Sequence, residues 1–255
     1  MALRNTPPFI LAEGLQKSFG TKPRTIGDLG LEVEAGDFVT LLGPSGCGKS
    51  TLLKLLAGLS SLSGGSIRID GMSPRAAREF ISFIFQDSTL LPWRTVSANI
   101  ALALEFEGMP REGQRPLVEG VLKLVGLSQV AGYYPRQLSG GMKMRVSIAR
   151  ALITTPRLLL MDEPFGALDE ITRNHLNEEV LRLKEKQNWT AVFVTHSVHE
   201  AVFLSNRVML MRMGPGRITR EIPVPFAFPR TAALRRDPEY LKLVGVVSDA
   251  LAEND

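Results

Sequence analysis

The 255-residue chain is 44% apolar and 22% charged, a balance that excludes a disordered or fibrous chain and leaves room for a sizeable core. A formal net charge of +4, with basic residues scattered in small clusters such as Arg235 with Arg236, gives no electrostatic footprint for nucleic acid. The single cysteine, Cys47, excludes an intrachain disulfide and fits a reducing compartment.

The N-terminal stretch has no apolar run of signal-peptide length, and the densest apolar stretches, 52–59 and 158–161, are too short to span a bilayer. The expectation is a cytoplasmic protein that reaches a membrane only by docking on other subunits. The first part of the chain reads as strands with tight turns, with candidates at 38–42, 67–71 and 81–85. Leu52, Leu55, Leu56 and Leu59 predict a helix directly after the glycine-rich stretch 43–50, and the pattern turns helical again from about 96 to 153. There, Val118, Val121, Leu122 and Val125 share one helical face. Two apolar runs, 158–161 and 191–194, suit a buried parallel sheet, with a helix between them at 171–186 and a last core strand at 208–211. A turn at 213–216 and Pro223, Pro225 and Pro229 interrupt the chain. Asp237 then offers an N-cap and Pro238 a first helical position for a helix running to 251. This alternation reads as α/β with a three-layer core and an inserted helical block.

Gly43-Pro44-Ser45-Gly46-Cys47-Gly48-Lys49-Ser50 fits G-x-x-x-x-G-K-S/T, between an apolar strand and an amphipathic helix. Glycines let backbone N–H groups converge on phosphate oxygens, and the helix N-terminus adds the positive end of its dipole. Lys49 is expected to reach the β and γ phosphates, Ser50 to ligate Mg²⁺, and Thr51 to support the α phosphate. Cys47 lies inside this loop, so its alkylation is expected to block nucleotide binding. The strand at 158–161 ends in Asp162 and Glu163. Asp162 is placed to hold Mg²⁺ through water, and Glu163 to act on the attacking water; alternation along a strand would point the two acids opposite ways.

Leu138-Ser139-Gly140-Gly141-Met142 precedes a helix that Ser139 can cap, with Gly140 and Gly141 exposing N–H groups to an anion. Lying between the phosphate loop and the two acids, this pentapeptide resembles the ABC ATPase signature. Gln86 resembles that family's Q-loop glutamine, Ala167-Leu168-Asp169 its D-loop, His196 its switch histidine, and Phe19 its adenine-stacking aromatic. The resemblance covers about residues 9 to 215. Met142, Met144 and Ser197 depart from the commoner residues at their positions without removing a catalytic group. The stretches 90–96, 165–173 and 215–218 resemble the nitrate/sulfonate/taurine importer branch, in which Trp93 either packs against a permease loop or is buried.

The resemblance implies a P-loop NTPase core with a mixed or parallel sheet, an N-terminal antiparallel β subdomain and an inserted helical subdomain at about 87–153. The ATPase domain would span 1–215, and 216–255 would form a tail with a short helix. It implies ATP and Mg²⁺ as ligands, with Ser50, Gln86 and Asp162 at the metal. Glu163 would be the general base, with His196 and Gln86 beside the γ phosphate. Two copies would pair head to tail, each ATP held between one phosphate loop and the other copy's Ser139, Gly140 and Gly141, with Asp169 working across the dimer. The partners implied are integral membrane permease subunits and, indirectly, a solute-binding protein, at the cytoplasmic face of the plasma membrane, with no nucleic acid. A soluble ABC ATPase acting on nucleic acid or ribosomes is the alternative; its relatives usually carry two cassettes in one chain or a long coiled coil, which this chain lacks.

Overall fold

Strict alternation along four central strands builds two cores on opposite faces of one sheet. The computed structural model describes residues 7–20 and 23–254, so the first six positions of the N-terminal stretch lie outside the described residues. The strands are β1 (Ile10–Lys17), β2 (Ile26–Val33), β3 (Phe38–Leu42), β4 (Gly64–Ile69), β5 (Ile81–Ile84), β6 (Leu158–Asp162), β7 (Thr190–Val194), β8 (Arg207–Arg212) and β9 (Arg217–Pro223). The α-helices are α1 (Lys49–Leu56), α2 (Val96–Phe106), α3 (Arg111–Leu124), α4 (Gly140–Leu152), α5 (Glu170–Gln187), α6 (Val198–Leu204) and α7 (Pro238–Ala252).

The six-stranded sheet has the order β5-β6-β7-β3-β8-β9, parallel throughout except for antiparallel β9 at its edge. Phe38, Leu42, Leu159, Met161, Phe193 and Leu210 point to the core shared with the helical block. Val39, Leu41, Leu158, Leu160, Val192 and Met209 point to the opposite core, where α1 and the three-stranded antiparallel sheet β2-β1-β4 pack. Period-2 alternation in strands buried on both faces is what lets continuous apolar runs serve two cores at once. Helices α2, α3 and α4 contribute Ile100, Val118, Leu122 and Ile148 to the first core. The chain is thus a P-loop NTPase fold with an N-terminal antiparallel sheet and an inserted helical block.

Three local features depart from the sequence pattern. Helix α1 stops at Leu56, because Gly58 adopts φ 63° and turns the chain, leaving Leu59 53% exposed instead of on the buried face. The β4 strand ends at Ile69 and reverses through Asp70 and Gly71, both at positive φ. Beyond residue 215, β9 hydrogen-bonds into the sheet along β8, so sheet pairing continues past the expected domain boundary. Asp237 accepts the Glu239 N–H at 2.8 Å and starts α7, which packs on α6. Among the described residues no helix is long and apolar enough to cross a membrane.

Candidate functional site

Parallel strands deliver their carboxyl ends to one edge, and the register here is tight. Asp162 pairs with Val194, Val194 with Leu41, and Ile84 with Met161. The residues that follow β3, β5, β6 and β7 therefore meet: the loop 43–50, Gln86, Glu163 and His196. This is where open α/β sheets bind ligands. A cavity of about 450 Å³ opens there, lined by Ser45, Gly46, Gly48, Lys49, Ser50, Thr51, Gln86, Glu163, His196 and Thr25.

The loop is built on backbone that side chains would disturb. A Cβ at Gly43 would lie 2.2 Å from the Met211 carbonyl oxygen, and Gly48 enters α1 at φ 103°. Lys49 is buried, and its ammonium donates to the Gly43 and Pro44 carbonyls at 2.6 and 2.9 Å. Gly43, Pro44 and Cys47 lie behind the loop's lining face. Cys47 is only 1% exposed and packs into the core, which restricts the access of alkylating reagents to this thiol.

The Ser50 hydroxyl donates to Asp162 Oδ1 at 2.9 Å, although Asp162 itself does not line the cavity. Burial pushes the Asp162 carboxyl above its usual range, the Ser50 hydrogen bond opposes this, and nearby Glu163 adds to it. A hydroxyl beside a carboxylate at a phosphate loop is a hard-oxygen donor set of the kind Mg²⁺ takes together with substrate phosphates and water, so the residues fit that ion. Among the described residues no cluster of three His, Cys, Asp or Glu forms a metal cage.

Glu163 is not a strand residue. β6 ends at Asp162, and Glu163 turns into the left-handed region at φ 50°, held by its N–H on the Val194 carbonyl at 3.0 Å. The acids therefore diverge because of this turn and not through strand alternation. A left-handed non-glycine residue costs about 1–3 kcal/mol and persists only where its surroundings impose it. The turn brings Glu163 Oε1 to 2.6 Å from His196 Nε2, a close contact between two side chains that both line the cavity.

The loop at 138–142 lies apart from this cavity. Ser139 caps α4 by accepting the Met142 N–H at 3.3 Å, and a Cβ at Gly140 would meet nothing within 4 Å. A Cβ at Gly141 would lie 3.2 Å from Leu168 Cδ2, so the start of α4 abuts the loop before α5. Asp169 caps α5 by accepting the Thr172 N–H at 2.9 Å; that bond to its exposed carboxylate holds it below the usual range. Ser139, Gly140, Gly141 and Asp169 do not line the phosphate-loop cavity of their own chain.

Phe19 also stays outside the cavity lining, 48% exposed with the Lys17 ammonium 4.7 Å from its ring centroid. Trp93 is 71% exposed, which removes the buried alternative. Sequence reasoning missed Thr25, which lines the cavity, donates its N–H to the Lys17 carbonyl at 2.8 Å and accepts the Gly216 N–H at 3.0 Å. It also missed Ser197 as the cap of α6, accepting the Glu200 N–H at 3.3 Å, a signal that a serine one residue before a helix could have given.

Comparison with known proteins gives a consistent picture. The family model described as ABC transporter matches residues 26–166, more than half of the chain. The chain is 43% identical over 221 residues to the aliphatic sulfonates import ATP-binding protein SsuB of Bacillus subtilis, covering 87% of this chain and 84% of that one. It is 45% identical over 214 residues to the bicarbonate transport ATP-binding protein CmpC of Synechococcus elongatus, covering 82% of this chain and 32% of that longer one. Among solved structures, the dimeric post-hydrolysis state of the ATP-binding cassette MJ0796 bound to ADP and Pi aligns with a TM-score of 0.79 at 30% identity, over 86% of this chain and 100% of that one.

Proposed function

The chain belongs to the ABC transporter family, and from that premise we propose that it hydrolyses ATP to power import of a small solute of the nitrate, sulfonate or taurine type. The observation that carries the reading is the Glu163–His196 pair, set opposite the phosphate loop across one cavity. Loop N–H groups and Lys49 bind the phosphates. Lys49 is released from the Gly43 and Pro44 carbonyls as it turns to the ligand. Ser50 and Asp162, with Gln86 through water, would hold Mg²⁺, which neutralises phosphate charge when bound. Glu163 takes a proton from water as the water oxygen attacks the γ phosphorus. The bond to the β-phosphate oxygen breaks, giving ADP and phosphate. His196 orients Glu163 and contacts the γ phosphate. Positioning and electrostatics supply most of such rate enhancements.

Two copies complete the site. The exposed start of α4 and Asp169 lie outside their own chain's cavity, which suits a head-to-tail dimer in which Ser139, Gly140 and Gly141 cover the partner copy's ATP. The MJ0796 cassette is dimeric in its own structure bound to ADP and Pi. Phe19 stacks on adenine from the rim. The helical block, with Trp93 exposed, meets integral membrane permease subunits at the cytoplasmic face of the plasma membrane, and through them a solute-binding protein. The test is phosphate release from MgATP by purified protein, with native protein active in a magnesium-dependent manner and Lys49→Ala inactive. Equal phosphate release by both proteins would refute the site.

A further inference from the structure

Helix α6, which follows His196, buries a carboxylate in an otherwise apolar run. Glu200 is 5% exposed while its helix neighbours Ala201, Val202, Phe203 and Leu204 are fully buried. A buried acid is costly unless it is fully engaged. The side-chain hydrogen bond and the ion pair of Glu200 both lead to the loops that carry the proposed catalytic groups. The Thr195 hydroxyl donates to Glu200 Oε2, and the same hydroxyl accepts the Ser197 N–H at 3.1 Å. These bonds bracket His196 from both sides in the sequence. Glu200 Oε1 faces Arg173 Nε at 3.5 Å, and Arg173 Nη2 donates to the Leu168 carbonyl at 2.8 Å, one residue before Asp169. A cavity of about 290 Å³ lies between this group and the Glu163–His196 pair, lined by side chains of both.

We propose that Glu200 is a positioning residue for hydrolysis, tying the His196 loop through Thr195, and the Asp169 loop through Arg173, into one rigid unit. The inference rests on the reading of Glu163 and His196 given above. Thr195 and His196 are the two residues directly after β7, where the backbone leaves the sheet. With Thr195 anchored, the imidazole keeps its 2.6 Å approach to Glu163. The Arg173 arm makes that geometry respond to movement of the loop before α5, which is the segment placed to meet a second copy. Burial pushes the Glu200 carboxyl above its usual range, with Thr195, Arg173 and Arg235 opposing that shift, so both its charge and its hydrogen bond enter the anchoring.

The test compares kcat and KM for ATP in native protein, Glu200→Ala, Glu200→Gln, His196→Ala and the Glu200→Ala/His196→Ala double variant. Small displacements of a catalytic group carry large rate penalties, so Glu200→Ala should lower kcat about tenfold while KM for ATP moves less than about twofold. Glu200→Gln keeps an acceptor for Thr195 and should recover most of the lost kcat. In the His196→Ala background, removing Glu200 should cost clearly less than in native protein, about threefold or less, because only the Asp169 arm of its anchoring remains. An equal loss of kcat with and without His196, or a KM rise matching the kcat loss, would overturn the positioning role. If His196→Ala alone leaves kcat unchanged, the catalytic reading itself fails; if it lowers kcat while Glu200→Ala costs the same in both backgrounds, only this inference fails. Should Glu200→Ala not fold, Thr195→Val removes the shared hydroxyl and carries the same expectations.

Discussion

Glu163→Gln isolates the chemical contribution of one carboxylate. The amide has the same volume, and its carbonyl oxygen can still accept from His196 Nε2, which now lies 2.6 Å from Glu163 Oε1. The new NH₂ donors find water, because the Glu163 side chain is 21% exposed. Nothing buried is left unsatisfied, so stability should change by no more than about 0.5 kcal/mol. The loop 43–50 and its phosphate contacts are untouched, so KM for ATP should stay within about threefold of native. What is lost is the acceptor for the water proton. General-base catalysis contributes about 10²–10⁴-fold, which corresponds to about 3–5 kcal/mol in the barrier. The assay is steady-state phosphate release across ATP concentrations, with thermal unfolding as a control. A loss smaller than about tenfold, or a KM rise parallel to the kcat loss, would refute the role of Glu163 as base.

Three further outcomes follow from the same geometry. Phe19→Ala should raise KM for ATP by about tenfold, from loss of about 1 kcal/mol or more of base stacking, with an unchanged melting temperature because the ring is 48% exposed; an unaltered KM would remove Phe19 from the site. Gly140→Leu meets open space in its own chain, so fold and nucleotide binding by the single copy should persist, while ATP-driven pairing seen by gel filtration, and hydrolysis with it, should be lost. Pairing that survives would place the dimer contact elsewhere. Tyr240 donates to the His199 carbonyl at 2.9 Å, and burial pushes its phenol from 10.0 up to about 12. A raised folded pKa means that this stabilisation is complete below pH 10 and is lost as pH rises towards 12. Buried Arg230, pushed down to about 10, changes stability in the opposite sense over the same range, so the comparison is between native and Tyr240→Phe proteins. Denaturant unfolding should show the native advantage shrinking by up to about 3 kcal/mol across that range; a constant difference would contradict it.

The site was legible wherever its chemistry is local. The phosphate loop, the Asp162-Glu163 strand end, the Ser139 cap and the Asp237 cap each declare themselves within a few residues, since a glycine pattern or a side-chain cap acts on its own neighbours. What sequence hides is set by tertiary contact. The left-handed turn at Glu163 is imposed by the Val194 carbonyl, contributed by another strand. Thr25 is held at the cavity by backbone hydrogen bonds to Lys17 and Gly216, and Glu200 gains Arg173 only when α5 and α6 pack. Strand β9 exposes Arg217, Thr219, Arg220 and Glu221 and buries Ile222, so an edge strand at the sheet rim left little apolar alternation to read. The tail shows the same effect. Arg230 is buried, donating to the Val202, Phe203 and Ser205 carbonyls at the end of α6, a C-terminal cap supplied from 25 to 28 residues away in sequence.

The most direct test of a transport role is capture of partners from the native host. Tagged Glu163→Gln protein is expressed there, membranes are solubilised with added ATP, and the proteins that purify with it are identified by mass spectrometry. Loss of the water-activating base should trap the closed, ATP-bound dimer, and a multi-span permease should be recovered with it in stoichiometric amount. Recovery of ribosomal or nucleic-acid components, with no multi-span membrane protein, would contradict the transport reading and establish a soluble ATPase in its place.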